Sequence, residues 1–164
     1  MTIPQEILTN LVTAAEEVFE TMVFKPLVRL PPVESEASQR ESGVVASVAF
    51  AGHRRGIVSI HSSLEAARDI AGAMLGMPSE SVNGEMPDAI GEVANMVAGT
   101  FRNKLAAVEP ASNIAVPTVT VGSDFTTKYS PTVRRARCPF AMEGQSISVE
   151  LILIGDEPAP SRPH

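Results

Sequence analysis

Apolar residues recur every three or four positions in three segments of the chain, which is the spacing of an amphipathic helix. A Ser, Thr or Pro lies at the start of each segment and a Pro or Gly follows its end, as is typical of helix termini. The first two segments begin with the capping-box spacing of Thr2 with Gln5 and of Ser62 with Glu65. Three helices are therefore predicted, over residues 2–25, 62–75 and 87–108.

Alternation of apolar and polar residues predicts β-strands in most of the remaining chain. The predicted strands cover residues 27–32, 44–50, 57–61, 115–122, 132–140 and 145–154. Prolines in the first of them restrict it to an edge of a sheet. Residues 33–42 are polar and rich in Ser and Glu, so an exposed loop is predicted there.

The order of these elements predicts an α+β domain over residues 1–155, followed by a Pro-rich C-terminal tail, 156–164, that we expect to be disordered. Two helix-β-β-β halves are joined by the helix over 62–75, which gives six strands in sheet structure with long helices packed against it. A short repeat supports the two halves, because Glu17-Val18-Phe19-Glu20 aligns with Glu92-Val93-Ala94-Asn95. In this alignment Glu20 takes the position of Asn95.

The third helix has one apolar and one polar face. At about 100° per residue, the apolar face is formed by Ile90, Ala94, Val97, Phe101 and Leu105. The opposite face carries Asp88, Glu92, Asn95, Gly99, Arg102 and Asn103. Glu92 and Asn95 are neighbours there, roughly 60° apart, and Gly99 lies one turn beyond Asn95. An interior Gly costs about 1 kcal/mol relative to Ala, so a smooth polar face suggests a closely docking partner, whereas an ordinary solvated face is the alternative.

Composition narrows the function classes. The chain has 164 residues, 44% of them apolar and 20% charged, as in soluble globular proteins, and no apolar run approaches the roughly 20 residues of a membrane span. The N-terminus lacks the features of a signal peptide, and the single Cys138 excludes an internal disulfide, so we expect a cytoplasmic protein. The three histidines have no metal-ligand spacing. A net charge of −6 argues against a nucleic-acid partner, the minor alternative being a basic patch of Arg54, Arg55, Arg134, Arg135 and Arg137.

Residues 87–99, P-D-A-I-G-E-V-A-N-M-V-A-G, followed by V-P-T-V at 116–119 and by Gly122, resemble the CheX branch of the CheC/CheX/FliY phosphatases. The similarity in element order extends over residues 3–155. The motif E-x-x-N alone is not specific, because Glu80-Ser81-Val82-Asn83 also fits it; the surrounding residues carry the resemblance. CheC proteins have the acid–amide pair in both halves, so Glu20 makes this chain similar to the single-site CheX type.

The resemblance implies a phosphatase that dephosphorylates a CheY-like receiver domain, whose aspartyl phosphate lies beside the receiver's own Mg²⁺ and lysine. It implies that Asn95 orients the hydrolytic water and that Glu92 pairs with the receiver lysine. The docking face would include Asp88, Gly99, Arg102 and Asn103, and this chain would bind no cofactor or metal itself. The resemblance also implies a homodimer formed by extending β-structure between subunits. A non-catalytic module that binds a receiver or a flagellar-switch component is the main alternative, and a purely structural dimer is a second.

Overall fold

The computed structural model describes residues 2–31, 38–130 and 132–155. The helices are α1 (Gln5–Val18), which continues as a single π-helical turn (Phe19–Val23), α2 (Leu64–Leu75) and α3 (Met86–Leu105), with a 3₁₀ turn (Ser79–Ser81) between the last two. The strands are β1 (Val28–Arg29), β2 (Ser38–Ala51), β3 (Gly56–Ser62), β4 (Asn113–Ile114), β5 (Thr118–Lys128), β6 (Val133–Met142) and β7 (Gln145–Ile154).

These strands form one antiparallel sheet in the order β1-β6-β7-β3-β2, and both β4 and β5 pair with the outer edge of β2. The predicted α+β class is confirmed, and so is the placement of the 27–32 strand at a sheet edge. Among the described residues the sheet has seven strands rather than six. The additional strand, β4, pairs only two residues with Phe50 and Ala51, which is too short to leave a periodic pattern in the sequence.

Several other boundaries differ from the sequence-based expectation. The first helix begins after an N-cap Pro4 with no side-chain cap hydrogen bond, so the predicted Thr2–Gln5 capping box is wrong. β5 covers Thr118–Lys128 rather than 115–122. Residues 38–42 belong to β2 and are not a loop, because the strand continues its pairing with β5 as far as Ser38 opposite Lys128. Residues 33–37 lie outside the described part of the chain. The cap of α2 is Ser63 rather than Ser62, because the Ser63 hydroxyl accepts a hydrogen bond from the Ala66 N–H at 3.0 Å. The predicted tail over 156–164 also lies outside the described residues.

The helices cover one face of the sheet, and the hydrophobic core fills the space between them. The apolar stripe predicted for α3 is buried in this core, as are the alternate residues Ile147, Val149, Leu151 and Leu153 of β7. α1 and α3 pack side by side. The consequence for function is that the opposite side of α3 remains available at the surface.

The pairing of β2 is irregular at Gly43. The pairing of β2 with β5 shifts register between Glu41 and Gly43, and Gly43 has a φ of +113°. A Cβ at this position would collide with the carbonyl oxygen of Ser62, so only glycine fits. Glu41, two residues before Gly43, lies on the face of the sheet that the helices leave uncovered, which we call the back face.

Candidate functional site

The site predicted from the sequence lies on α3, whose ends are electrostatically favourable. Pro87 lies in the first turn, where its missing N–H costs nothing, and Asp88 follows it at the positive end of the helix dipole. Arg102 and Lys104 occupy the last turn, at the negative end. With its inner face in the core, α3 is a rigid support for the side chains on its outer face.

Glu92 and Asn95 lie next to each other on that outer face. Glu92 is exposed and Asn95 is half-buried, whereas Val93 and Ala94 between them are fully buried. Within the described residues neither polar side chain has an intramolecular hydrogen bond or ion pair. A carboxylate and a carboxamide are thus presented together without partners of their own, which leaves their hydrogen-bonding capacity for another molecule.

The two glycines of the motif have different surroundings. Gly91 is buried, and a Cβ built on it would lie 3.3 Å from Val119 Cγ2 and 3.5 Å from Pro117 Cβ, so Gly91 allows β5 to approach the helix. Gly99 is half-exposed, and its nearest neighbour would be Ile114 Cδ1 at 3.9 Å, an ordinary contact. Internal packing therefore explains Gly91 and does not explain Gly99.

An open groove of about 340 Å³ runs between α1 and α3 beside Gly99. Its walls are formed by Glu17, Val18, Thr21 and Met22 on one side and by Met96, Gly99, Thr100 and Asn103 on the other. Glu17 pairs with Lys104 across the two helices at 3.1 Å. Of the predicted docking residues, Gly99 and Asn103 therefore lie together in this groove.

The other two predicted docking residues lie elsewhere on α3. Asp88 is exposed in the first turn, on the side of Glu92 that faces away from the groove along the helix axis. Arg102 lies beside Phe50 and Glu109, in a small crevice separate from the groove. The predicted face is thus continuous from Glu92 to Asn103, with Arg102 directed to one side.

Glu20, which aligns with Asn95, lies in a different local structure. It is exposed and belongs to the π-helical turn after α1, which ends at Phe24 in the left-handed conformation with a φ of +59°. α3 continues for ten residues beyond Asn95, whereas the first helix ends three residues beyond Glu20. The two halves therefore share an element order but differ in local structure at these two positions.

The sequence did not predict a second polar cluster, which lies on the back face of the sheet. Glu150 in β7 is fully buried and accepts hydrogen bonds from Arg135 at 2.8 Å, Arg137 at 3.3 Å and the Tyr129 hydroxyl at 3.3 Å. Arg137 also donates to Glu41 at 2.7 Å. The guanidinium of Arg135 lies 4.2 Å from the centre of the Tyr129 ring.

His61 completes this cluster from β3. Its Nδ1 lies 3.2 Å from Glu41, its Nε2 lies 3.6 Å from Glu150, and both nitrogens are within 3.3 Å of Arg137 Nη2. Burial lowers the pKa of His61, but the contacts with Glu150 and Glu41 outweigh it and the net pKa is raised. Burial likewise opposes ionisation of Glu150, yet His61 and the two arginines lower its pKa to about 2.

Three of the five arginines that the sequence had left as a possible basic patch pair with carboxylates, two of them in this cluster. Arg135 and Arg137 are held by Glu150 and Glu41, and Arg54 pairs with Glu109 at 2.8 Å. A signal for this was present in the sequence, since Glu150 interrupts an apolar strand and Arg135 and Arg137 alternate on the strand beside it. These three arginines are thus partners of carboxylates within the described part of the chain.

Other chemistries find little support in the described part of the chain. No group of three or more His, Cys, Asp and Glu residues there is arranged to hold a metal ion. Burial raises the pKa of the Cys138 thiol, which packs against the core and is a poor nucleophile in that state. No helix in the same part of the chain is long and apolar enough to cross a membrane.

Comparison with known proteins gives consistent results. A family model described as "Chemotaxis phosphatase CheX" matches residues 44–141. The chemotaxis protein CheX of Desulfovibrio desulfuricans is 27% identical, with a TM-score of 0.80 over 90% of this chain and 99% of that one. A CheC-like superfamily protein from Shewanella sp. PV-4 has 22% identity and a TM-score of 0.81 over 93% and 100% of the two chains.

A third structure similar to this chain is the Borrelia burgdorferi complex of CheX with CheY, BeF3 and Mg²⁺. It has 21% identity and a TM-score of 0.71, with 90% of this chain and 97% of that one covered. At this identity the likeness concerns the fold. No curated protein matches the sequence.

Proposed function

This chain belongs to the CheX family of chemotaxis phosphatases, and from that premise we propose that it hydrolyses the aspartyl phosphate of a CheY-type receiver domain. Asn95 orients the attacking water and Glu92 pairs with a lysine of the receiver. The observation that carries the proposal is the pair itself: a carboxylate and a carboxamide side by side on the outer face of a rigid helix, neither engaged within the described molecule.

The chemistry required of this chain is modest. Phosphoryl transfer depends mainly on positioning and on electrostatic stabilisation, and the receiver supplies the phosphate and its own Mg²⁺. The Asn95 amide can accept a hydrogen bond from water through its oxygen and donate one through its NH₂ group. Because the amide is neutral, the negatively charged phosphoryl oxygens do not repel it. A carboxylate in the position of Asn95 would be repelled.

The geometry around the pair suits a docked protein better than a small substrate. The pair lies on a convex helix surface and not in a closed cavity, and Gly99 leaves the next turn of the helix free of side-chain bulk. One of the similar structures is a complex of CheX with CheY, which supports a receiver domain as the partner of this chain. Asp88, Gly99 and Asn103 then lie within the contact area, and Arg102 lies at its margin.

We also propose a homodimer formed through β5. Among the described strands β5 is hydrogen-bonded to β2 alone, so its other edge is open over 11 residues. Val121 in this strand is 49% exposed, and Val116, two residues before the strand begins, is 85% exposed. A long edge with apolar side chains is a template for pairing with another strand.

Light scattering should give twice the mass of one chain, and a charged residue at Val121 should shift the mass towards the monomer.

The test of the catalytic proposal is the loss of phosphate from a phosphorylated CheY-type receiver, with and without this protein. Asn95→Ala should retain the fold and bind the receiver but lose roughly 10²–10³ in rate, as when one transition-state hydrogen bond is removed. Asn83→Ala is the matched control, because Asn83 belongs to the other E-x-x-N sequence, lies outside the helices and is exposed. Wild-type rates for a folded Asn95→Ala protein would overturn the mechanism, and tight binding without hydrolysis by the wild type would favour a non-catalytic binding module.

A further inference from the structure

The segment that ends the first helix has three unusual properties. The helix widens into a π-helical turn over Phe19–Val23, a geometry found mostly as single turns and frequently at functional sites. Phe24 then adopts a φ of +59°, which is rare and unfavourable for a bulky residue. The side chains of Met22 and Phe24 are 46% and 76% exposed, although both are large and apolar. We call Phe19–Phe24 the terminal turn.

The terminal turn borders the candidate site. Met22 and Thr21 form one wall of the groove whose other wall contains Met96 and Gly99. Gly99 follows Asn95 by one helical turn on the outer face of α3, so the groove opens onto the surface that presents the catalytic amide. A receiver placed over Asn95 and close to Gly99 therefore reaches the terminal turn as its next neighbour.

The two halves of the repeat differ in the residues that follow Glu20 and Asn95. Four residues beyond Glu20 the first half has Phe24, and four residues beyond Asn95 the second half has Gly99. The second half thus combines an amide with a smooth helix. At the corresponding positions the first half has an acid and an exposed aromatic ring, and its helix ends there.

We propose that the terminal turn is the second wall of the receiver-docking surface, with Met22 and Phe24 contacting apolar side chains of a CheY-type receiver. This inference rests on the proposed function. The first half of the repeat sets the affinity for the receiver, and the second half carries the chemistry. The side chain of Phe24 is already exposed before binding, so contact with a receiver requires no opening of the core.

The experiment measures the affinity for a CheY-type receiver loaded with Mg²⁺ and beryllofluoride, a stable mimic of the phosphorylated state. Met22→Ser and Phe24→Gly should each weaken binding about tenfold, as expected for exposed side chains that become buried anchors. Glycine suits the φ of Phe24, so the fold should be retained. Leu75→Ser is the matched control for Met22→Ser, because Leu75 is 45% exposed on α2 and does not line the groove.

Turnover separates this role from catalysis. Rates measured over a series of phosphorylated-receiver concentrations should show KM raised about tenfold in Met22→Ser and Phe24→Gly with kcat close to wild type, whereas Asn95→Ala should lower kcat. Phe24→Leu, which keeps an apolar side chain, should restore most of the affinity.

Two results would overturn the proposal. The first is an unchanged affinity for the receiver in both variants. The second is a weaker affinity that accompanies loss of the dimer, because the terminal turn would then be a contact between copies of this chain. If the wild type binds the beryllofluoride-loaded receiver but does not hydrolyse the phosphorylated one, the catalytic function fails. The affinities of the two variants still decide the role of the terminal turn in that case.

Discussion

Gly91 of α3 faces Val119 of β5 across a gap that holds no side chain, with 3.3 Å between a Cβ built on Gly91 and Val119 Cγ2. Gly99, two turns further along the same helix, has 3.9 Å to its nearest neighbour, Ile114 Cδ1. Two glycines of one motif therefore serve different purposes: the first sets the distance between helix and sheet, and the second shapes the outer surface.

The same substitution at both glycines should separate these purposes. Gly91→Leu should lower the free energy of unfolding by about 1–3 kcal/mol through overpacking against β5. Gly99→Leu should keep or raise stability by up to about 1 kcal/mol through helix propensity, and should weaken receiver binding by steric conflict. Urea unfolding and receiver affinity measure the two effects. A Gly99→Leu protein that is less stable than wild type would place Gly99 in an internal contact.

Glu92→Gln tests the proposed charge pair with the receiver lysine. The change keeps the size of the side chain and barely alters helix propensity, so the melting temperature should stay within about 1 °C of wild type. The KM for phosphorylated receiver should rise at low ionic strength, and the difference from wild type should shrink as salt is added, because an exposed pair is screened. Identical kinetics at every salt concentration would exclude an essential ion pair.

Glu20→Ala tests whether the first half retains a catalytic site. Glu20 lies in the π-helical turn and has no carboxamide beside it, so we expect kcat to remain within about twofold of wild type. The assay is the same phosphate release, with Asn95→Ala measured in parallel. Equal losses in the two folded variants would show a two-site enzyme of the CheC kind.

The back-face cluster should give stability a maximum in weakly acidic solution. Glu150 has a pKa lowered to about 2, so its contribution is present above the ordinary value of about 4.5 and is lost as the pH falls towards 2; the difference corresponds to about 3 kcal/mol. His61 has a raised pKa, so its contribution is present below about 6.5 and is lost as the pH rises through the raised value.

Urea unfolding between pH 3 and pH 9 measures both limbs of that profile. Glu41, Arg135, Arg137 and Tyr129 also face His61 or Glu150, and of these the Glu41 carboxyl, with a lowered pKa, adds to the acid limb. His61→Asn should flatten the alkaline limb and leave an acid limb. An unchanged alkaline limb in this variant would assign it to another group.

The features that could be predicted from the sequence are those with a clear hydrophobic period or a recognisable local motif. The three helices, the hairpin of β2 with β3 and the alternating burial of β7 follow from runs of five or more residues with a recognisable pattern. The polar face of α3 with Glu92 and Asn95 follows from the same geometry. The roles of these two residues came from the family resemblance, because spacing alone cannot distinguish a site from a solvated helix face.

Features that depend on contacts distant in sequence could not be predicted. The strand β4 consists of two residues that pair with the end of β2. A run of two residues has no periodic pattern, so neither this strand nor its register can be predicted from the sequence. Glu41 and Glu150 lie 109 residues apart (150 − 41 = 109), and both bind Arg137, so their burial as ions depends on the tertiary fold. The π-helical turn likewise has no period of its own, and it leaves Met22 exposed within the segment 2–25 that was predicted as one amphipathic helix.

The 14-residue strand β2 has a consequence for how the molecule comes apart. On one side of Gly43 it pairs with β3 in the centre of the sheet, and on the other side it pairs with the outer part of β5 and brings Glu41 to Arg137. Because one covalent strand belongs to both regions, opening either region strains the pairing of the other. Unfolding should therefore be a single cooperative event. In that one transition the central amides of β2 should lose their protection from hydrogen exchange and the ring of Tyr129 should become exposed to solvent.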